Sequence, residues 1–315
     1  MLDDRKRGSA VRSSFSERND GMSKKKAPYA MIAPYFILYL AFGLFPILFS
    51  LGVSFTSWDG IGEAAFVGLK NYKRVFTQDK FFYKSLLNTV ILLAISTPVQ
   101  IALGLFMSVF LKDFFKKTRN GLQLINFLPY ITTPVAVGII FQLMFDWKSG
   151  VINAFLNLFG IDSIYWLGNA WASRAVVIFM IVWKNYGYMM IMFLSGLSTI
   201  SDELYEAAKI DGAKWWDCFV RITIPLLRPI FVFVVTTSVI NGFKLFDEPQ
   251  LLFSSASQPI GGPDRAVMTV VMRFYEASFR NFEFGYGSAL AYCLFFVIAL
   301  ASLAVFSLIN KKKGD

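Results

Sequence analysis

The chain has 315 residues, a formal net charge of +10 and no histidine; 56% of its side chains are hydrophobic and 17% charged. With 34 Phe and a mean hydropathy of +0.53 it is too apolar for an ordinary soluble fold of this length. The missing histidine excludes imidazole acid–base chemistry and histidine metal sites. Cys218 and Cys293 stand far apart, without a CxxC or disulfide framework, and read as small apolar residues.

Residues 1–28 are polar, with Arg5, Lys6, Arg7, Arg12, Arg18 and Lys24 to Lys26 among Ser, Asp and Asn, the composition of a disordered tail. No short apolar core with a cleavage site follows, as a signal peptide would require; the next apolar stretch is full length. Six stretches then reach the roughly 20 residues needed to cross about 30 Å of hydrocarbon. They lie near 29–56, 87–111, 121–145, 172–200, 222–252 and 286–310. The expected fold class is therefore an all-α integral membrane protein of about six transmembrane helices.

Lys and Arg in alternate connections fix the orientation. One side holds 19, in the N-terminal tail, 112–120, 201–228 and Lys311 to Lys313; the other holds 9, five of them between 70 and 84. The positive-inside rule places both termini and 201–228 in the cytoplasm. The positive charge is thus accounted for by membrane topology rather than by nucleic acid. Trp58, Trp147, Trp166 and Trp171 fall near outer ends, where amphipathic rings prefer the headgroup zone. Val151, Ile152, Phe155, Leu158 and Phe159 follow Gly150 as a short apolar face, expected to lie on the outer surface as an interfacial anchor. Pro34, Pro46, Pro129 and Pro134 predict kinks in the first and third spans. No internal repeat stands out, which disfavours a carrier built of visible inverted halves.

The cytoplasmic stretch EAAKIDGAKWWDCFVRITIPLLRP, Glu206–Pro229, is the one polar, helix-forming island in the second half. Ser201 or Asp202 can cap a helix with Glu203 in its first turn. Leu204, Ala207, Ala208 and Ile210 give it an apolar side, Gly212 a bend, and Trp215, Trp216, Phe219 and Val220 begin a second helix. The product is a helix–bend–helix with a ridge of small residues that another protein's backbone can approach closely.

Within the membrane, Lys184, Asn185, Tyr186 and Tyr188 lie on the fourth span, and Thr237, Asn241, Lys244 and Asp247 on the fifth. A lysine at the bilayer centre costs about 2.5–3.5 kcal/mol on insertion scales, so it faces a partner or a water-filled cavity. Lys184 sits roughly 18 Å down its span at 1.5 Å per residue.

Glu206, Ala207, Ala208, Asp211, Gly212, Ala213, Phe219, Ile222, Pro225 and Pro229 resemble the "EAA" coupling loop of bacterial ABC importer permeases. Phe66–Tyr72, Asn88-Thr89, Trp183-Lys184, Gly196-Leu197 and Gly261-Gly-Pro263 extend the resemblance over about 29–310, and it is to the maltose-type, carbohydrate-uptake branch. The six spans and short first outer loop are like the six-span sugar permeases. The resemblance implies a type I importer bundle in the bacterial inner membrane, with 29–310 as permease domain, the coupling loop at 201–221, and 1–28 and 311–315 as cytoplasmic tails.

It further implies a second homologous permease, two copies of a cytoplasmic ATPase and an external solute-binding protein. Glu206 and Asp211 would be docking contacts, Gly212 the bend, and Ala207, Ala208 and Ala213 the close-packing surface. ATP and Mg would be bound by the ATPase, since no G-x-x-x-x-G-K-[ST] phosphate loop occurs in this chain. No cofactor or catalytic residue is expected here. Aligned on the family, Lys184, Asn185, Tyr188, Thr237, Asn241 and Lys244 fall on sugar-contact positions.

Two lysines in one site would favour a sugar bearing carboxylate or sulfate; alternatively Lys244 pairs with Asp247 or Glu248. Three rivals stand beside this reading. A stand-alone channel or secondary carrier would leave the island idle. A membrane enzyme would need a nucleophile–base or metal cluster, and the carboxylates are scattered singly. An ABC permease for a non-sugar solute is opposed by the flanking motifs alone.

Overall fold

The computed structural model describes residues 27–114, 118–253 and 259–310. Of the expected tails, 1–28 and 311–315, all but Ala27 and Pro28 lie outside the described residues; those two open a helix rather than belonging to a disordered tail. Residues 1–53 and 54–315 form two compact units, each described by itself.

In the first unit, helix Ala27–Tyr39 runs through a π turn, Leu40–Leu44, into Phe45–Ser54; together these are α1. The π turn ends two residues before Pro46, whose ring clashes with the carbonyl four residues earlier and lacks the N–H for a regular bond.

The remaining helices are α2 (Lys70–Thr77), α3 (Lys80–Phe114), α4 (Arg119–Ile131), α5 (Pro134–Met144), α6 (Val151–Asn157) and α7 (Ala170–Leu197). Then come α8 (Asp202–Ile210), α9 (Trp215–Leu226, with a π turn at Phe219–Thr223), α10 (Arg228–Phe243), α11 (Asp247–Leu252), α12 (Val270–Tyr275) and α13 (Phe284–Asn310). Among the described residues α1, α3, α7 and α13 are long and apolar enough to cross a membrane singly.

The third span differs from the expected continuous stretch at 121–145. α4 and α5 meet at 91°. Thr132 and Thr133 are extended, because Pro134 disfavours helical dihedrals in the residue before it, while the proline itself opens α5. The fifth span, expected over 222–252, is likewise corrected. α9 and α10 meet at 64°, α10 stops at Phe243, and α11 is a separate short helix after the break at 244–246.

Packing against α7 orders the bundle. Helix backbones approach where small residues allow it, as van der Waals contact rather than water exclusion drives association in lipid. A Cβ at Gly104 of α3 would lie 2.5 Å from that of Met189 on α7, and one at Gly187 of α7 would collide with the Asn126 carbonyl of α4. Val176, Val177 and Met180 of α7 then bury against Leu92 of α3 and Val137 and Phe141 of α5. Nearer the other end, Met189, Phe193 and Leu197 pack with Leu227 and Val234.

Residues 259–283, ahead of α13, fold back into the bundle. Met268, Val270 and Met272 are fully buried in it. Asn88 of α3 donates to the carbonyls of Arg265 and Met268 and accepts from Arg174 of α7. Two of the five outer basic residues between 70 and 84 are paired, Arg74 with Glu283 and Lys84 with Asp264. Helix α6 buries Asn153, which hydrogen-bonds Trp147, Ile164 and Trp166. Val151, Phe155, Leu158 and Phe159 stay exposed as an apolar face; Ile152, expected on that face, packs into the core instead.

Candidate functional site

A cavity of about 510 Å³ lies between α3, α7 and α10, with α11 at its edge. Its walls include all six residues expected at sugar-contact positions: Lys184, Asn185 and Tyr188 from α7, and Thr237, Asn241 and Lys244 from the end of α10. The i, i+1, i+4 spacing on α7 and the i, i+4 spacing on α10 turn these side chains to one face each.

Four further lining residues escaped the sequence reading, and a fifth entered it only as an alternative partner for Lys244. Ser96, Thr97 and Gln100 form a polar stripe on α3. Their i, i+1, i+4 spacing inside an apolar run was a readable signal. Tyr130 of α4 stacks on Tyr188, with ring centroids 4.9 Å apart and planes 14° from parallel. Tyr186 turns away from the cavity and donates to Asn126 of α4. The fifth residue is Glu248.

Glu248 changes the electrostatics. Its carboxylate lies 2.8 Å from Lys184 Nζ, and both side chains are 12% exposed. The expected alternative of Lys244 pairing with Asp247 or Glu248 is corrected accordingly: Glu248 is taken by Lys184. Among the described residues Lys244 has no ion-pair partner, and its side chain is exposed to the cavity. The break after Phe243 makes this possible, since a helix continued through 252 would have carried residue 248 on along the axis of α10.

Away from the cavity, α8 is capped by the Ser201 hydroxyl, which accepts from the Glu203 N–H. Its chain turns at Gly212, whose φ of +81° lies in the left-handed region that a side chain strains. A Cβ there would meet nothing within 4 Å, so the glycine serves backbone conformation rather than packing. Glu206, Ala207, Asp211 and Gly212 are exposed, and Ala208 and Ala213 half-buried.

The apolar side chains of α8 lie largely exposed. Ile210 is 87% exposed, and no residue of α8 is buried. Tyr205 turns inward instead, bonding Thr223 and lying under the Lys112 ammonium. Burial, opposed by the Thr223 bond and aided by Asp113 and Asp202, pushes its phenol above the ordinary value. Trp215 donates to Asp113 at the end of α3, 3.2 Å away. A cleft of about 810 Å³ runs beneath α8, reaching Glu206 and Ala213. Trp216 and Ile210 remain exposed on the far side.

Among the described residues no group of three His, Cys, Asp or Glu side chains is arranged to hold a metal ion. The two cysteines are buried and unlinked.

The family model for "Binding-protein-dependent transport system inner membrane component" matches residues 100–313. An arabinooligosaccharides transport system permease protein (AraP) of Bacillus subtilis is 34% identical over 296 residues, covering 93% of this chain and 91% of the relative. A lactose transport system permease protein (LacF) of Rhizobium radiobacter is 32% identical over 288 residues, covering 90% and 94%. The fold is shared with a crystal structure of a bacterial ABC transporter involved in import of the acidic polysaccharide alginate, with a TM-score of 0.78 over 92% of this chain and 97% of that one at 23% identity. With most of its length matched and its apolar helices spanning the bilayer, the chain belongs to the family of inner membrane components of binding-protein-dependent transport systems.

Proposed function

We propose that the chain is a permease subunit of an ATP-driven importer of a sugar or oligosaccharide. It forms the translocation path with a second permease, receives its substrate from an extracytoplasmic binding protein, and is driven by two copies of a cytoplasmic ATPase that bind ATP and Mg. The observation that carries the sugar reading is the cavity between α3, α7 and α10. It offers neutral donors and acceptors from Ser96, Asn185, Thr237 and Asn241 beside the Tyr130–Tyr188 stack. Hydroxyls and amides match sugar hydroxyls, and flat rings match pyranose faces. Relatives named for arabinooligosaccharides, lactose, and diacetylchitobiose support the same class.

Coupling runs through 201–221. Glu206 and Asp211 serve as polar docking contacts, Gly212 holds the bend, and Ala207, Ala208 and Ala213 let the ATPase approach. The exposed ridge and the positive φ of Gly212 support these roles. A second reading, that the sugar is acidic, is favoured by Lys244, which is exposed to the cavity and has no carboxylate within ion-pair distance among the described residues.

The experiment is Gly212→Val in the complete transporter, with ATP hydrolysis and uptake of labelled oligosaccharide measured together. The chain is expected to insert while uptake is lost, through uncoupled hydrolysis or failed assembly. Wild-type uptake in that variant would remove the coupling role of 201–221.

A further inference from the structure

We propose that Glu248 sets the charge selectivity of the cavity by neutralising Lys184; the inference rests on the sugar-importer reading above. Four charged side chains line the cavity: Lys184, Lys244, Asp247 and Glu248. Two positive and two negative charges sum to zero, so any preference for an anion rests on how each charge is matched rather than on a net charge. The two pairs are not equivalent. Lys184 and Glu248 are 2.8 Å apart and 12% exposed, whereas Lys244 and Asp247 are both exposed to the cavity and solvated. An anionic sugar entering beside Lys184 meets a lysine already matched, with a carboxylate at its side that repels the newcomer.

The pair still has work for a neutral sugar. An ammonium has three donors and a carboxylate about four lone-pair sites. One contact, from Lys184 to Glu248, is formed between them. The open valences suit adjacent hydroxyls, one accepting from Lys184 and the other donating to Glu248. Glu248 is placed for this by the break at 244–246 and by Gln142 of α5, which donates to the Leu251 and Leu252 carbonyls and anchors the far end of α11.

Removing the Glu248 charge leaves the lining at +1 and frees Lys184 for a carboxylate. At an effective dielectric near 20, one uncompensated charge a few ångströms away is enough to shift the preference for an anion over a neutral ligand about tenfold or more. Removing the Lys184 charge leaves −1 and shifts the preference the other way.

The test uses the assembled transporter in nanodiscs and equilibrium dialysis with labelled arabinotriose and a labelled trimeric uronide. Glu248→Gln is expected to raise the uronide-to-arabinotriose affinity ratio about tenfold. Lys184→Gln should lower that ratio, and the double variant Lys184→Gln/Glu248→Gln should return it to the wild-type value. Each single variant reads the proposal independently, so poor assembly of one leaves the other decisive. A wild type that binds both trimers, with the ratio unmoved in either assembled single variant, would overturn the role of Glu248. A wild type that binds neither would bring down the sugar reading itself.

Discussion

Two groups of charges are buried in the bundle, and they differ in whether each charge is matched. In the first, Asp79 at the start of α3 accepts from Arg273 at 2.8 Å, from the Tyr286 hydroxyl and from the Phe81 and Phe82 N–H groups. Arg273 also reaches Glu276, which takes a further bond from Arg265. This clasp ties α3, the connection before α13, and α13 itself, with Asp79 and Arg273 only 3% and 9% exposed. In the second, the Lys184–Glu248 pair faces a cavity and Lys244 stands beside it without an ion-pair partner among the described residues. The same residue types therefore build a fastener where each charge is matched by buried partners, and a recognition surface where Lys244 stands without one.

Breaking the clasp is expected to have the largest effect. Arg273→Leu takes the guanidinium away from the buried Asp79 carboxylate and leaves Glu276 with Arg265 alone; it should cost about 3–5 kcal/mol, read as loss of assembled transporter or a large fall in melting temperature. If Arg273→Leu melted like wild type, the clasp would not be a fastener. In the cavity the opposite pattern is expected. Asn241 is exposed there, so Asn241→Ala should change stability by no more than about 0.5 kcal/mol. On the sugar-importer reading it should also weaken sugar binding about tenfold, as loss of a ligand hydrogen bond does. Reduced stability with unchanged sugar affinity would erase the distinction between the two regions.

Acid sharpens it further. Burial works against the Asp79 charge, yet the Tyr286 hydroxyl, the Arg273 guanidinium and the Phe82 N–H hold its carboxyl below the ordinary 3.8. The fold thus binds fewer protons than the unfolded chain between the lowered value and 3.8. The stabilisation is complete above that window and is lost as pH falls through the lowered value. Melting temperature should drop on acidification below about pH 4, and less steeply in Asp79→Asn than in wild type. The smallest effect is expected at the rim. Arg74 and Glu283 are 40% and 36% exposed, so Glu283→Gln should cost at most about 1 kcal/mol in a thermal melt.

Much of this was legible beforehand for a physical reason. Hydrocarbon thickness dictates span length, and the six stretches are found as four single helices and two bent pairs. The family resemblance grouped Lys184, Asn185, Tyr188, Thr237 and Asn241 as expected sugar-contact positions, and all five line the one cavity. Glu248 was legible only as one of two partners offered to Lys244. Its true partner is 64 positions away in the chain, and the pairing depends on α10 ending at Phe243. Tyr205 went unmarked because no local pattern in α8 singles it out, while the structure turns the amphipathic phenol in and leaves Ile210 out.

Asn88, Gly196 and the Gly261-Gly262 pair show where reading a motif stops short. As sequence they are signatures; in the fold they are fasteners. Asn88 holds the 265–268 backbone, and a Cβ at Gly196 would press into Leu227 and Ile230. None of that follows from their spacing.

What the sequence determined by itself is everything governed by short-range rules and by the bilayer: the stretches long and apolar enough to span, the bend at Gly212, and the faces that carry polar groups. Only the tertiary structure decided which of those faces meet. The right-angle break before Pro134 and the return of the chain after Phe243 into the bundle bring α3, α4, α7 and α10 around one cavity. They also hand Glu248 to Lys184 rather than to Lys244. Charge pairing in a low-dielectric interior depends on distances of a few ångströms between segments remote in sequence, and no local pattern encodes them.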